Sequence, residues 1–334
     1  MLHMTMGAYR PVQMHVLFHD NCFDGAASAA VFAAFYGALI RPGATVSYQG
    51  LSHQAGGAPV PEAVFRDTEN AIVDFRYSQS PRLTWWFDHH ASAFQEPGDE
   101  AHFRADRSGR KFHDPTRKSC TKYIADVARE RFGFDPSPHA ELIDWAELID
   151  GAQFPTPEMA VGLREPALQL MAVLESNHDP ELIPEVIRRL QHGSLSEVAA
   201  LPMIQEPFRP LLRRHRAAVE VVRRKASMEE GTVFFDVADE NLDGINKFIA
   251  YELFPEARYV VWVGRSPRRT KVSIGSNPWR PELRRHDLSA IAERYGGGGH
   301  PVVAAMSFRP EELGRARAAA AEIVAELRAR TAMT

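Results

Sequence analysis

Val12-Gln-Met-His-Val-Leu-Phe18, then five residues later Asp24-Gly-Ala-Ala-Ser-Ala-Ala-Val-Phe-Ala-Ala-Phe-Tyr36, is the stretch from which the fold can be read. The first run is short and ends in the apolar Val16-Leu17-Phe18, which predicts a strand. The second is rich in alanine and other small residues, which predicts a helix able to press closely on a sheet. Thr45-Val-Ser-Tyr-Gln49, Ala71-Ile-Val-Asp74 and Leu83-Thr-Trp-Trp-Phe87 are further strand candidates, separated by turn-rich or helical stretches. That alternation predicts an α/β fold in which the N-terminal domain is a doubly wound parallel sheet.

The period changes after Ser119. Apolar residues at helical spacing run through Ser119–Phe132 and His139–Ile149, and helices continue from Pro157 to about Ala226, giving a helical middle segment. Arg213-Arg214-His215-Arg216 and Arg223-Arg224-Lys225 sit on its last long helix, as a solvated face or a groove wall. Strands return at Thr232–Asp236, Tyr259–Val263 and Lys271–Gly275, followed by a short helix at Leu288–Arg294, a glycine run, a strand at Val302–Phe308 and an Ala-rich helix from Pro310 to about Arg330. This is a smaller α/β C-terminal domain with a mixed sheet. The turn-forming Met228-Glu-Glu-Gly231 places the boundary so that residues 1–226 form the first domain with its helical linker and 227–334 the second.

The chain has 334 residues, 45% hydrophobic and 25% charged, enough for two separate cores and too apolar for disorder. A formal charge of −4 argues against wholesale coating of duplex nucleic acid. Local asymmetry survives it: Arg258 to Arg285 holds eight basic residues against the single acid Glu282. Two cysteines, Cys22 and Cys120, provide no disulfide framework and fit a reducing cytoplasm. Residues 1–10 lack the charged-then-apolar pattern of a leader, and no run of about 18 apolar residues is read, so no membrane partner is expected.

Ligand-type side chains gather where the strands should end. Asp88-His89-His90 closes the run Leu83–Phe87, Asp74 follows Ala71-Ile-Val73, and Asp24-Gly25 follows the first strand. In open α/β sheets the crevice outside the strand carboxyl ends is the usual place for chemistry. Carboxylates with two imidazoles favour a divalent metal, and nitrogen ligands move the preference from magnesium towards Mn2+, Co2+, Fe2+ or Zn2+. Two such ions can activate water and neutralise a phosphoryl group. Far downstream, Gly296-Gly-Gly-Gly299-His300 lies between a helix and a strand, where glycines permit positive φ and a nest of N–H groups around an anion, with His300 as a further donor.

These residues resemble the DHH phosphoesterases. The triplet Asp88-His89-His90, Asp24-Gly25, Asp74 and the Gly-rich run of residues 296–300 occur in the family's order, the two signatures about two hundred residues apart, and the likeness covers nearly the whole chain. The resemblance implies two-metal hydrolysis of phosphoester bonds in small nucleic-acid-derived substrates: short single-stranded oligonucleotides, dinucleotides or nucleoside bisphosphates. It implies Mn2+ first, with Mg2+ and the softer divalent ions as alternatives, and a homodimer is compatible with it. Carried over by position, it makes Asp74 the bridging carboxylate and His19, Asp24 and His89 metal ligands, with Asp88 completing or orienting the site. His90 would meet a metal or the scissile phosphate. Asp150 is the remaining aspartate, with Asp144 as its competitor, although either could simply be a helix-end charge.

Two positions depart from the family. In His19-Asp-Asn-Cys-Phe-Asp24, Cys22 stands where the family has its first aspartate; a thiolate there would suit a softer ion, with Asp20 the nearest substitute. The strand before the glycine run has Ser273-Ile-Gly-Ser-Asn277 where the family tends to carry an arginine. Arg268, Arg269 or Lys271 would replace that charge, and Asn277 or Trp279 would contact a base, so substrate binding falls to Gly297, Gly298, Gly299, His300, Arg268 and Asn277. Ser119 reads as an N-cap whose helix could also hold a phosphate, and His53 and His113 read as surface residues. A nucleotide sensor that has lost a metal, or a polyphosphate hydrolase, is the competing expectation.

Overall fold

The structure, a computed structural model, describes residues 12–52, 58–240, 242 and 244–329; residues 1–10 and His53 lie outside them. The chain groups into two compact units, residues 1–153 with 165–208, and residues 154–164 with 209–334.

The first unit is built on five parallel strands: β1 (Gln13–His19), β2 (Thr45–Leu51), β3 (Glu69–Val73), β4 (Leu83–Asp88) and β5 (Lys111–His113). Their order, β2-β1-β3-β4-β5, reverses direction between β1 and β3. That reversal opens a crevice at the carboxyl ends of those two strands. Alternation along β4 sends its two tryptophans to opposite faces. Trp85 meets Phe32, Phe35 and Tyr36 on one side, and Trp86 packs with Leu17, Ile72, Phe65 and Tyr77 on the other. Both rings are at most 1% exposed, and burial of a large apolar side chain contributes about 1.5–3 kcal/mol.

Helix α1 (Phe23–Phe35) follows β1 and continues through a wider π turn, Tyr36–Ile40. Its small residues are there for close approach. A Cβ on Gly25 would lie 2.2 Å from the His19 carbonyl oxygen, so the helix can begin over the end of β1 only without one. Contrary to the sequence reading, Phe23–Ile40 is long and apolar enough to cross a membrane by length and composition. Yet 72% of it is buried in the fold, the character of a core helix. After α2 (Asp99–Ala105) come α3 (Cys120–Phe132), which packs on α1 with Ser28 Oγ and Thr121 Oγ1 3.1 Å apart between them, and α4 (Ala140–Asp150). The helical middle continues as α5 (Pro157–Gly162), α6 (Pro166–Glu175), α7 (Leu182–Leu190), α8 (Leu195–Ala199) and α9 (Pro202–Lys225).

The second unit holds a mixed sheet of six strands: β6 (Ser227–Glu229), β7 (Thr232–Asp236), β8 (Tyr259–Arg265), β9 (Thr270–Ser276), β10 (Gly298–His300) and β11 (Val303–Phe308). Their spatial order is β10-β11-β9-β8-β7-β6, with only β7 and β8 parallel. One face is buried under α11 (Leu288–Glu293) and α12 (Leu313–Arg328), and α10 (Ile249–Leu253) precedes β8. The glycine run read as a loop becomes, in part, the edge strand β10. Its composition has packing reasons: Gly296 has φ 74°, and a Cβ on Gly297 or Gly299 would lie 2.4 Å from a carbonyl oxygen of β11.

Candidate metal centre

Strand ends deliver the first donors. His19 is the last residue of β1 and Asp74 the first after β3, and because Phe18 pairs with Val73 the two emerge side by side at the switch point. Asp74 has φ 58°, a left-handed conformation that aspartate tolerates better than most residues, and its N–H still bonds the Phe87 carbonyl at 2.9 Å. Backbone held in this region against its preference is a marker of a functional position. His19 Nδ1 lies 3.4 Å from Asp74 Oδ2.

Two donor triplets result. His19, Asp74 and His90 form one, and Asp24, His89 and Asp150 the other, the ligand atoms of each lying within 4.8 Å of one another. His89 Nε2 is 3.4 Å from Asp74 and from Asp150 and 3.8 Å from Asp24. The site therefore concentrates three carboxylates on one imidazole. Asp74 Oδ1 and His89 Nε2 are buried and make no hydrogen bond, the condition expected of atoms shaped for a cation. The donor set fits one or two divalent ions with mixed oxygen and nitrogen preference.

Charge repulsion shows in the proton affinities. Burial, then the charges of Asp74 and Asp150, push the Asp24 carboxyl well above the usual range, and Asp150 rises through burial and the Asp74 charge. Burial opposes protonation of His89, but its contact with Asp74 and the Asp24 charge outweigh this and hold it up at about 10. Asp74 is pushed up by burial and pulled down further by His19 and His89, ending at about 2. Without a metal, the centre keeps a proton on His89 where a cation would sit.

Asp88 has a different task. It is fully buried, and its Oδ1 accepts from the His89 and His90 N–H groups at 2.8 and 3.3 Å and lies 2.7 Å from His90 Nδ1. The hydrogen bond that His90 Nδ1–H donates to Asp88 is the main reason the His90 pKa rises. Asp88 thus belongs to neither triplet; it orients the loop and leaves His90 its Nε2 to offer. Asp150, the last residue of α4, enters a triplet, whereas its competitor Asp144 is exposed six residues earlier, about 120° round the helix. A carboxylate at a helix C-terminus opposes the helix dipole. Asp150→Asn is therefore expected to raise the melting temperature of the metal-free protein, by about 0.3–1 kcal/mol of stability. A lower melting temperature would make Asp150 a structural group instead.

Other sequence-predicted residues fall elsewhere. Cys22 is in neither triplet, and burial with the Asp74 and Asp24 charges pushes its thiol well up, so it stays protonated without a metal. Asp20 packs over Gly50, where a Cβ would meet its Cγ at 2.4 Å, and belongs to neither triplet. Ser119 does cap α3, accepting from the Lys122 N–H at 3.1 Å. The first amides of α3 are already engaged, however: Cys120 N and Thr121 N bond the Asp24 carboxylate at 2.7 and 3.1 Å, holding a ligand rather than a phosphate.

The proposed substrate set is divided. Gly297 is half-buried, and Gly298, Gly299 and His300 are exposed on or beside the edge strand β10. Arg268 is exposed in the turn before β9, while Asn277 follows its other end, about 20 Å away along the strand. Asn277 is 2% exposed; both hydrogens of its amide bond the Pro255 and Ala257 carbonyls at 3.1 and 2.8 Å, and its oxygen takes the Trp279 N–H at 2.9 Å. That residue is a buried backbone clamp with both amide hydrogens engaged. Trp279 is likewise tied down, donating Nε1–H to the Phe154 carbonyl at 2.7 Å.

Sequence reasoning missed two supports. His113, read as a surface residue, stacks on Trp86 with ring centroids 5.6 Å apart and places Nε2 2.9 Å from the His90 carbonyl oxygen. The Arg117 carbonyl oxygen lies 3.0 Å from His89 Nδ1.

No protein-family model matches the sequence, and no curated protein matches it. Solved structures do match. A pGpG-specific phosphodiesterase from Vibrio cholerae aligns over 94% of this chain and 99% of its own, with a TM-score of 0.69 and 18% identity. The exonuclease RecJ bound to manganese aligns over 94% and 90%, at 0.53 and 16%. The DHH domain of a protein described as a member of a ribosomal-protein family aligns over 94% and 86%, at 0.54 and 14%. At these identities the likeness establishes the fold: the chain has the DHH fold.

Proposed function

We propose that this chain with the DHH fold is a metal-dependent phosphodiesterase that hydrolyses short nucleic-acid-derived substrates, linear dinucleotides foremost. The observation that carries the reading is the convergence of His19, Asp24, Asp74, His89, His90 and Asp150 in two donor triplets at the switch point of the parallel sheet. Support for the dinucleotide class comes from the phosphodiesterase likeness, which spans 99% of that chain and leaves almost none of it unmatched. The manganese in the RecJ neighbour supports the same metal here. A cytoplasmic location belongs to the proposal, with two free cysteines in its favour.

In this reading His19, Asp74 and His90 would hold one ion and Asp24, His89 and Asp150 a second, with Asp74 lying 3.4 Å from His89 and able to serve both sets. Bound divalent ions would supply Lewis acidity and activate a water for attack on phosphorus. The chain's own part is orientation. Asp88 fixes the His90 ring, the α3 amides hold both oxygens of Asp24, and the sheet keeps these groups on rigid strand ends. In the second unit, the exposed β10 edge would hold substrate; Arg268 lies towards the far end of β9 from the segment that β10 neighbours, and Asn277 is buried, so neither shares that role.

The test is a panel run with Mn2+: a linear dinucleotide, a short single-stranded oligonucleotide, 3′-phosphoadenosine 5′-phosphate and polyphosphate, with products separated by chromatography. Fastest turnover of the dinucleotide to mononucleotides is expected. Binding of these ligands without turnover under Mn2+, Mg2+, Co2+ or Zn2+ would replace the enzyme by a sensor.

A further inference from the structure

We propose that Asp126, in the body of α3, is a positioning residue of the metal centre, acting through Arg117 on the ring of His89. The inference rests on the metal-centre reading above. Asp126 is a carboxylate only 5% exposed, held by Arg117 at 2.8 Å, Lys122 at 2.6 Å and Arg129 at 3.1 Å. Lys122 and Arg129 lie on the same helix at ordinary ion-pair spacing, where such pairs contribute only a few tenths of a kcal/mol. That is a poor return for burying a charge. Arg117 is different, because it belongs to the loop before the helix.

The guanidinium of Arg117 is gripped on two edges. Nε bonds Asp114 Oδ2 at 3.1 Å, Nη1 bonds Asp126 Oδ2, and the group lies 5.3 Å from the Tyr123 ring centroid. Asp114 also takes the Thr116 N–H and hydroxyl at 3.0 and 2.6 Å, and its carbonyl takes the Arg117 N–H at 3.2 Å. The side chain and N–H of Arg117 are thus both held, and the carbonyl oxygen of the same residue lies 3.0 Å from His89 Nδ1.

A carbonyl oxygen can only accept. In this contact His89 donates its Nδ1–H, which leaves Nε2 as the nitrogen that faces Asp24, Asp74 and Asp150. Asp126 thus sets, from one helix away, which nitrogen the centre can use.

Three variants test this: Asp126→Asn, Arg117→Lys, which keeps the charge but cannot bridge two carboxylates from a planar fork, and Lys122→Ala, which removes a different partner of Asp126. In the metal-free protein, exchange of the His89 Nδ1 proton is followed by NMR; Mn2+ affinity is measured by calorimetry. Asp126→Asn and Arg117→Lys are expected to speed that exchange at least about tenfold and to weaken Mn2+ binding about 10–100-fold, while Lys122→Ala changes neither. Unchanged exchange in a folded Asp126→Asn or Arg117→Lys protein overturns the inference. If the parent protein binds no Mn2+, the metal reading fails, and the exchange measurement still decides whether Asp126 holds the ring.

Discussion

Asp74→Asn is expected to lower kcat/KM by about 10³-fold or more, a loss of about 4 kcal/mol of transition-state stabilisation. Asparagine suits the test because it tolerates the positive φ of 58° at this position almost as aspartate does, so backbone and volume are kept. What disappears is a negative charge that stands 3.4 Å from both His19 and His89 and touches both donor sets. Mn2+ affinity, measured by calorimetry, is expected to fall with activity. Melting should remain cooperative, because Asp74 lies outside the apolar clusters that hold the sheet. An active Asp74→Asn protein would mean that the first triplet does not hold a catalytic ion. A variant that binds Mn2+ normally yet turns over nothing would move Asp74 from ligand to another role.

Why this residue could be singled out from sequence, while its neighbours were misjudged, has a physical cause. A strand buried on both faces leaves an apolar run with an abrupt polar end, and Ala71-Ile-Val-Asp74, Leu83–Asp88 and Val12–His19 all carry that mark. The parallel sheet and the donor residues were legible for the same reason. Short polar pieces carry no such mark: β5 is three residues, Lys111–His113, and α2 lies among charged residues. The β10 strand was hidden because glycines that make room for β11 look like glycines that make a loop.

Roles were harder to read than positions. Asp88 and Asp74 have the same side chain and the same place at a strand end, but Asp88 turns back onto the N–H groups of the two histidines that follow it and Asp74 does not. Asn277 and Arg268 are close in sequence, and only the extended path of β9 separates them. The supports of His89 and His90 could not be read at all, since Arg117 acts through its carbonyl and His113 through a bond to one. Every residue has a carbonyl; only the fold says which one matters.

Chelation is expected to abolish turnover, and metal affinity is expected to rise with pH, because the metal-free centre holds a proton where the cation goes. His89 is held at about 10, above its ordinary 6.5. Its protonated form therefore contributes stability to the metal-free protein that is complete below about 6.5 and is lost as pH rises through about 10. Asp24 and Asp150, raised above the usual carboxylate range, act in the same direction: once pH exceeds their ordinary values, keeping them ionised costs stability. Metal-free protein should melt at a lower temperature at about pH 8.5 than at about pH 6.5. Mn2+ reverses this, since binding through Nε2 releases that proton and the ion neutralises the carboxylates. If one proton leaves per ion, Kd should fall about tenfold per pH unit. At about 100 times Kd the ion adds about 2.7 kcal/mol, so the gap in melting temperature between loaded and chelated protein should widen as pH rises at fixed Mn2+. Calorimetry in two buffers of different ionisation enthalpy counts the released protons directly. A Kd independent of pH with no proton release would show that His89 gives up nothing when the metal binds, and would remove it from the donor set.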